Sequence, residues 1–577
     1  MRSRTLLLVF VVAAALTAAA SNPSQAGSRQ SLDTLADEFY WATQSRHLRP
    51  TLSDRGNATW LARLDGFDRR LARIKSSRLG EEARTTRQLL RAAIDQERRY
   101  LTDGWILEDL NALDSPLLTT YSAIDAIDHK TIADWTWVIS SLNHSKRFTA
   151  DYTRLLRRGL AAHRAQPAAV VESSIELASM LGSTSARRNP LLALEAELEK
   201  NLANHPRLPD LRRQLRAALR DVALPAHRDL ARFLRTEYLP KAPRHLSPSS
   251  YAHAIERHLG PGHDPAKLAG QGRREVARLY AQIEKTARTI DPDMKSLSTF
   301  MSNLSRRKSE RFASADDLLA VTRAEVARAE ALAADLLPTP PSSVTVEPMP
   351  KTDEKTEDAQ YIASGPTSGT FQINSTQKLN GILRHELPSV VSHETFPGHH
   401  LQSVHAQKAN LPELRRSASL TVYDEGWAMY ADNLRLETNG YTPLEKIGSL
   451  KFALWAASLM VVDVGLHTNT MTRAEATAFM ARNMFTTPQR ASAEIERILN
   501  LPGHGLAYYV GRSTLLRLRA HTARRLGPRF SSRRFHHQLL RGGALPLSTL
   551  EHRISRWSSR QSNKPASRRP PARARKR

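Results

Sequence analysis

The chain has 577 residues, 41% of them apolar, a formal charge of +27 and no cysteine. That is enough length and apolar content for a large folded core or several units of about 150 residues each. The missing cysteine excludes disulfides, thiolate metal sites, a cysteine nucleophile and a lipidated N-terminal cysteine, so any metal has to be held by His, Asp or Glu.

The first residues read as an export signal. MRSR is positively charged, LLLVFVVAAALTAAA is an apolar run too short for a usual membrane span, and Ser24-Gln25-Ala26 offers small residues before a cut ahead of Gly27. Residues 1–26 are therefore expected to be removed, leaving a periplasmic or secreted protein, and no later segment reads as apolar enough to cross a bilayer. From 27 to 337 apolar residues recur three and four apart with charges between them, which predicts helices separated by proline-containing breaks. Residues 338–380 form a proline-rich linker with β-branched alternation, and a small sheet or hairpin is expected from about Val344 to Ser375. Helical patterning returns over 381–555, with Pro388 placed for a first helical turn. Residues 556–577 carry no acid and much Pro, Ser and Arg, and are expected to be a disordered basic arm. The fold class predicted is mainly α with one small β element just before the motif-bearing helix.

Most of the positive charge is arginine scattered along helical faces, where it is solvated. The arm is suited to weak contact with anionic envelope polymer or lipid. No recognition helix or stacking platform points to specific binding of nucleic acid.

One stretch carries chemistry. SHETFPGHHLQ, from Ser392 to Gln402, begins like the zinc-peptidase motif H-E-x-x-H but has Pro397 where the second histidine belongs. On a straight helix His400 faces the same way as His393 but lies roughly 10.5 Å further along the axis, and His399 faces elsewhere. Pro397-Gly398 changes this, because proline removes a backbone donor and glycine permits unusual dihedrals. An interruption there brings His399 to the place of the second ligand, with His400 as the alternative. DEGWAMYAD on the following helix offers Glu425 as a third ligand, and Asp432, seven residues on, as a carboxylate for a ligand histidine's other nitrogen. Glu394 is placed to take a proton from water and pass it to a leaving amine.

Together, HETFPGHHLQ and DEGWAMYAD resemble the bacterial domain-of-unknown-function family 885, whose members carry H-E-x-x-P-G-H-H and a later E-G-W-A-x-Y. YIASGPTSGTFQINS, LPGHGLAYYVG, LRLRAHTARRLG and RRFHHQLLRGGALPLSTL are similar to further segments of that family. The resemblance implies a helical, zincin-like metallopeptidase fold with a deep channel and one zinc ion on His393, one of the paired histidines, and Glu425, with Glu394 as general base. It also marks Tyr508 as a donor to the oxyanion and Arg519 as a bidentate partner for a substrate carboxylate. His504 and His536 are expected to be structural, and His385, which forms a second His-Glu pair, is discounted because no histidine follows it at useful spacing. The chain departs from the family pattern at His504, where glutamine is common, at Ile498, where tyrosine is common, and at Asp432, which replaces a glutamate. The function implied is hydrolysis of short peptides. A peptide- or polymer-binding protein on the same scaffold, and a metallohydrolase of another amide or ester, are the alternatives.

Overall fold

The structure, a computed structural model, describes residues 27–48, 52–125, 127–338, 340–349, 358–376, 379 and 381–563. The predicted export signal lies outside the described residues. The chain is mainly helical, with one small sheet before the motif. In the first half many helices start where a side chain can take up an orphan backbone donor. Ser53, Thr131, Ser247, Asp264, Ser296 and Ser314 all accept from a first-turn N–H. Proline does not break every helix, however. The rod from Leu208 to Lys241 continues through Pro225, which follows a π-turn at Ala218–Ala223. The wider turn makes room for the ring and tolerates the missing donor.

One apolar core lies within residues 52–242, around Trp135, Tyr152 and Tyr238. A second joins Leu279, Ile283 and Phe300 to Leu450, Leu454 and Ile495, so packing unites segments that composition sets apart. The helices Pro265–Ile290 and Pro443–His467 lie along each other. At Gly272 a Cβ would stand 2.8 Å from Met460 Cβ, which is why that crossing takes a glycine. The helix Pro443–His467, called here the Phe452 helix, is long and apolar enough to cross a membrane by length and composition, contrary to the sequence expectation, but it is mostly buried inside the fold. Its start is set by a Thr442–Glu445 capping box with proline in the first turn.

The sheet has the order β1-β3-β2, with β1 Ser343–Pro348 parallel to β3 Ser368–Ile373 and β2 Ala359–Ala363 antiparallel to β3. Alternate residues Val346, Phe371 and Ile373 enter a core with Leu387, Val391 and Trp427, so the sheet forms a wall behind the motif. At the other end the helix Leu547–Ser562 runs into the expected disordered arm. Arg556 and Arg560, one turn apart, both reach Glu81 (3.2 and 2.8 Å), and Trp557 packs on the core. Tertiary partners therefore order residues whose composition alone reads as disordered. Residues 564–577 lie outside the described part.

Candidate metal centre

The first motif helix, Leu387–Glu394, is the His393 helix. It stops after Glu394, where Thr395 leaves helical geometry (φ −116°, ψ −99°), and Phe396-Pro397 is a cis peptide. The next helix, His399–Lys408, begins directly after Gly398. At Gly398 a Cβ would lie 1.8 Å from the His393 carbonyl oxygen, so the backbone folds back across the helix end only because that position is glycine. Buried Trp427 donates from Nε1 to the carbonyls of Pro397 (3.0 Å) and Gly398 (3.2 Å), holding the break from the opposite helix. The fold-back sets the His393 and His399 rings 4.8 Å apart and nearly perpendicular, at 87°.

Glu425 comes from Thr421–Glu437, the Glu425 helix. Asp424 fastens its start by accepting from Leu420 N (2.8 Å), Ser419 Oγ (2.8 Å) and Gln402 Nε2 (2.6 Å), the last on the His399 helix. Burial pushes the Asp424 carboxyl up to about 6. Glu425 Oε2 stands 3.4 Å from His393 Nε2 and 3.6 Å from His399 Nε2, and the three donor atoms lie within 4.8 Å of one another. Donors about 2.1 Å from a tetrahedral ion are separated by about 3.4 Å, so the spacing fits a zinc-sized cation. Burial disfavours the Glu425 carboxylate, but the two imidazoles outweigh it and hold its pKa well below the usual range. Burial likewise lowers His399, yet Glu425, then Glu394 and Asp424, raise it to about 9. Glu394 is half-buried, follows His393 directly in the chain, and its charge helps raise His399.

Tyr508 lies on the helix Leu506–Leu526, with its ring 6.4 Å from the His393 ring and 4.9 Å from Trp455. It reaches the cluster because two glycines let its helix touch the Glu425 helix. A Cβ on Gly426 would stand 2.5 Å from Gly511 Cα, and one on Gly511 would stand 2.0 Å from the Val422 carbonyl oxygen. Gly426 follows Glu425 directly, and Gly511 is three residues after Tyr508. Gly426→Ala is accordingly expected to force the helices apart and destabilise the protein by about 1–3 kcal/mol. Gly66→Ala, in the amphipathic helix Asp54–Arg73 with nothing within 4 Å of the added carbon, should stabilise by up to about 1 kcal/mol. Chemical denaturation of both variants checks the contrast.

His400 is fully buried on the sheet side. Its Nδ1 shares a 3.0 Å hydrogen bond with the Tyr361 hydroxyl, its ring meets Phe396 at 4.8 Å, and burial pushes its pKa down to about 4. Tyr361 arrives there by crossing Gly369, where a Cβ would clash with the ring at 2.2 Å. Asp432 does not bond to a ligand histidine. It accepts from the hydroxyls of Ser389 (2.8 Å), Tyr441 (2.6 Å) and Ser449 (2.7 Å), while His393 Nδ1 has no hydrogen-bond partner among the described residues. Ser389 is one turn before His393, so Asp432 holds the helix and not the imidazole. Arg435 adds to that hold, donating to Ser392 Oγ (3.0 Å) and pairing with Glu325 (2.6 Å).

Arg519 pairs with Glu437 and donates to the Tyr430 hydroxyl (3.3 Å), whose other partner is His536 Nε2 (2.8 Å). These groups tie the Tyr508 and Glu425 helices together away from the cluster. His385 pairs with Glu310 (2.8 Å), and His504 packs 5.7 Å from the Tyr508 ring. Glu386, at the cap of the His393 helix, pairs with Lys451 and accepts from Leu383 N (2.9 Å). Burial raises its carboxyl, but Lys451 and then His385 outweigh that and hold it at about 2, below the ordinary 4.5. A depressed carboxyl contributes stability that is complete above its unfolded value and disappears as pH falls through the folded one. The melting temperature of the native protein should fall more steeply than that of Glu386→Gln between pH 5 and pH 3, which calorimetry would show.

Sequence reasoning missed Trp427, Gly426, Gly511, Asp424, Phe452 and Trp455. The glycines stand inside the quoted stretches DEGWAMYAD and LPGHGLAYYVG, but their role depends on which helices cross. Phe452 and Trp455 are spaced three apart, which in an apolar run reads as core.

A family model described as a bacterial protein of unknown function, DUF885, matches residues 39–554. The chain belongs to the DUF885 family. Among solved structures, a protein from Colwellia psychrerythraea provisionally described as a lipoprotein superposes with a TM-score of 0.82, at 22% identity, over 92% of this chain and 99% of that one. Another from Shewanella oneidensis, provisionally described as a lipoprotein of unknown function, gives a TM-score of 0.71 at 15% identity, over 92% and 99%. Both likenesses show a shared fold. A carboxypeptidase from Deinococcus radiodurans reaches a TM-score of 0.32 at 12% identity, over 92% and 98%, a likeness too slight to build on. Among curated proteins none matches the chain.

Proposed function

We propose that this DUF885 protein is an exported zinc-dependent metallopeptidase acting on short peptides. What supports the reading is the spacing of the three donors His393, His399 and Glu425, with Glu394 next to His393 in the chain and its charge felt at His399. The donor set of two imidazoles and one carboxylate suits zinc and leaves a fourth position free. A zinc ion bound there supplies Lewis acidity toward a carbonyl oxygen and lowers the pKa of water.

The protein's own groups do the remaining work. Glu394 accepts a proton from the attacking water as its oxygen bonds to the scissile carbonyl carbon. It then delivers that proton to the amine nitrogen as the C–N bond breaks. The Tyr508 hydroxyl donates to the oxygen that gains charge in the transition state. Asp432, Arg435 and Asp424 fix the helices that carry the donors. Arg519, committed to Glu437, is assigned to packing and not to a substrate carboxylate.

Export fits the provisional descriptions of the two similar structures as lipoproteins. The basic tail, residues 556–577, would make weak contact with anionic envelope polymer or lipid. The deciding experiment is metal analysis of the purified protein lacking residues 1–26, followed by a peptide screen with the zinc-loaded form. Near-stoichiometric zinc together with peptide cleavage is expected. No zinc taken up even after addition would overturn the proposal.

A further inference from the structure

The Phe452 helix is closed on all sides except one. Between Ile447 and His467 every residue is buried apart from Lys451, Phe452 and Trp455. Lys451 is engaged with Glu386. The two aromatic rings are stacked, 5.4 Å apart at 11°, and so present one slab. That slab begins at the candidate metal centre, where the Phe452 ring meets His393 edge to face at 5.1 Å. It also reaches the second group assigned above, because Trp455 meets Tyr508 at 4.9 Å and 68°. Arg497 lies 5.6 Å from the centre of the Trp455 ring and is bonded to Glu494 by Nε (2.9 Å) and Nη2 (2.6 Å), which closes the far end.

We infer that Phe452 and Trp455 form the specificity subsite for the residue adjoining the scissile bond, and that it takes aromatic or bulky apolar side chains. The inference rests on the proposed peptidase function and adds the substrate class. A peptide whose carbonyl lies between His393 and Tyr508 has its neighbouring side chain over this slab, since the slab spans those same two residues. Apolar faces left open in an otherwise closed helix favour being covered by apolar surface. Aromatic rings pack well on edges and faces of other rings. A charged side chain there loses water and gains no partner, because Arg497 is already committed to Glu494.

The test uses two blocked peptides identical except for Phe or Ala beside the cleaved bond. Their kcat/KM ratio is measured for the zinc-loaded native protein, Phe452→Ala and Trp455→Leu, which keeps an apolar side chain but no ring. The native protein should favour Phe by about tenfold to a hundredfold, and the ratio should fall toward one in both variants. Near-UV circular dichroism confirms that the variants fold, and Trp455→Leu keeps the test alive should Phe452→Ala fail. Calorimetric binding of the same peptides to Glu394→Gln and its double variants reads the preference without turnover. A binding preference that Phe452→Ala and Trp455→Leu abolish, with no cleavage by the native protein, would support the subsite and defeat the peptidase. Equal treatment of the two peptides, or a preference unchanged in both variants, would overturn the subsite even if cleavage is fast.

Discussion

Glu394→Gln is expected to keep its zinc and to lose turnover by about a hundred- to ten-thousand-fold, the range that a positioned acid–base group contributes. The two halves of that expectation come from different parts of the structure. Metal retention follows because the donor atoms belong to His393, His399 and Glu425, and the substitution leaves all three in place. Loss of turnover follows because an amide of the same size cannot take a proton from water. Glu394 is the last residue of its helix, and glutamine keeps its size and shape there. Metal content by mass spectrometry and kcat/KM on the best peptide of the screen decide the matter. Full turnover in the variant would remove Glu394 from the mechanism, and loss of metal would make it part of the binding site.

His399→Ala and His400→Ala should fail in opposite ways, although the residues are neighbours. Removing His399 takes one of the three donors and leaves Glu425 with a single imidazole beside it, so stoichiometric zinc binding is expected to disappear while the fold persists. Removing His400 leaves the cluster intact. It takes His400 from the buried Tyr361 hydroxyl, which keeps Ser403, and opens a cavity beside Phe396. The cost is expected to be about 2–4 kcal/mol of stability, read by denaturation, with zinc still bound. Zinc loss in His400→Ala with retention in His399→Ala would exchange the two assignments.

The sequence determined a good deal unaided. Helical periodicity, capping residues and the proline-rich interlude marked a mainly helical chain with a small sheet before the motif. HETFPGHH and DEGWAMYAD marked His393, Glu394, the histidine pair and Glu425 as candidates, because residue types that hold metals or move protons are concentrated in those two short stretches, and the structure brings His393, His399 and Glu425 together. Family membership was legible for the same reason.

Only the tertiary structure decided between the paired histidines. Their positions differ by one residue, and the outcome depends on how the backbone folds back at Gly398 under the carbonyl contacts of Trp427, thirty residues further on. The same holds for Asp432 and Arg519. A carboxylate or a guanidinium advertises its charge in the sequence, but its partner is whichever group the packing brings within reach. Here those partners are the hydroxyls of Ser389, Tyr441 and Ser449 for one and Glu437 for the other. Phe452 and Trp455 belong to this second class as well. In sequence they are two more apolar residues in a buried helix, and they become a surface only because the described elements around that turn leave both rings partly exposed.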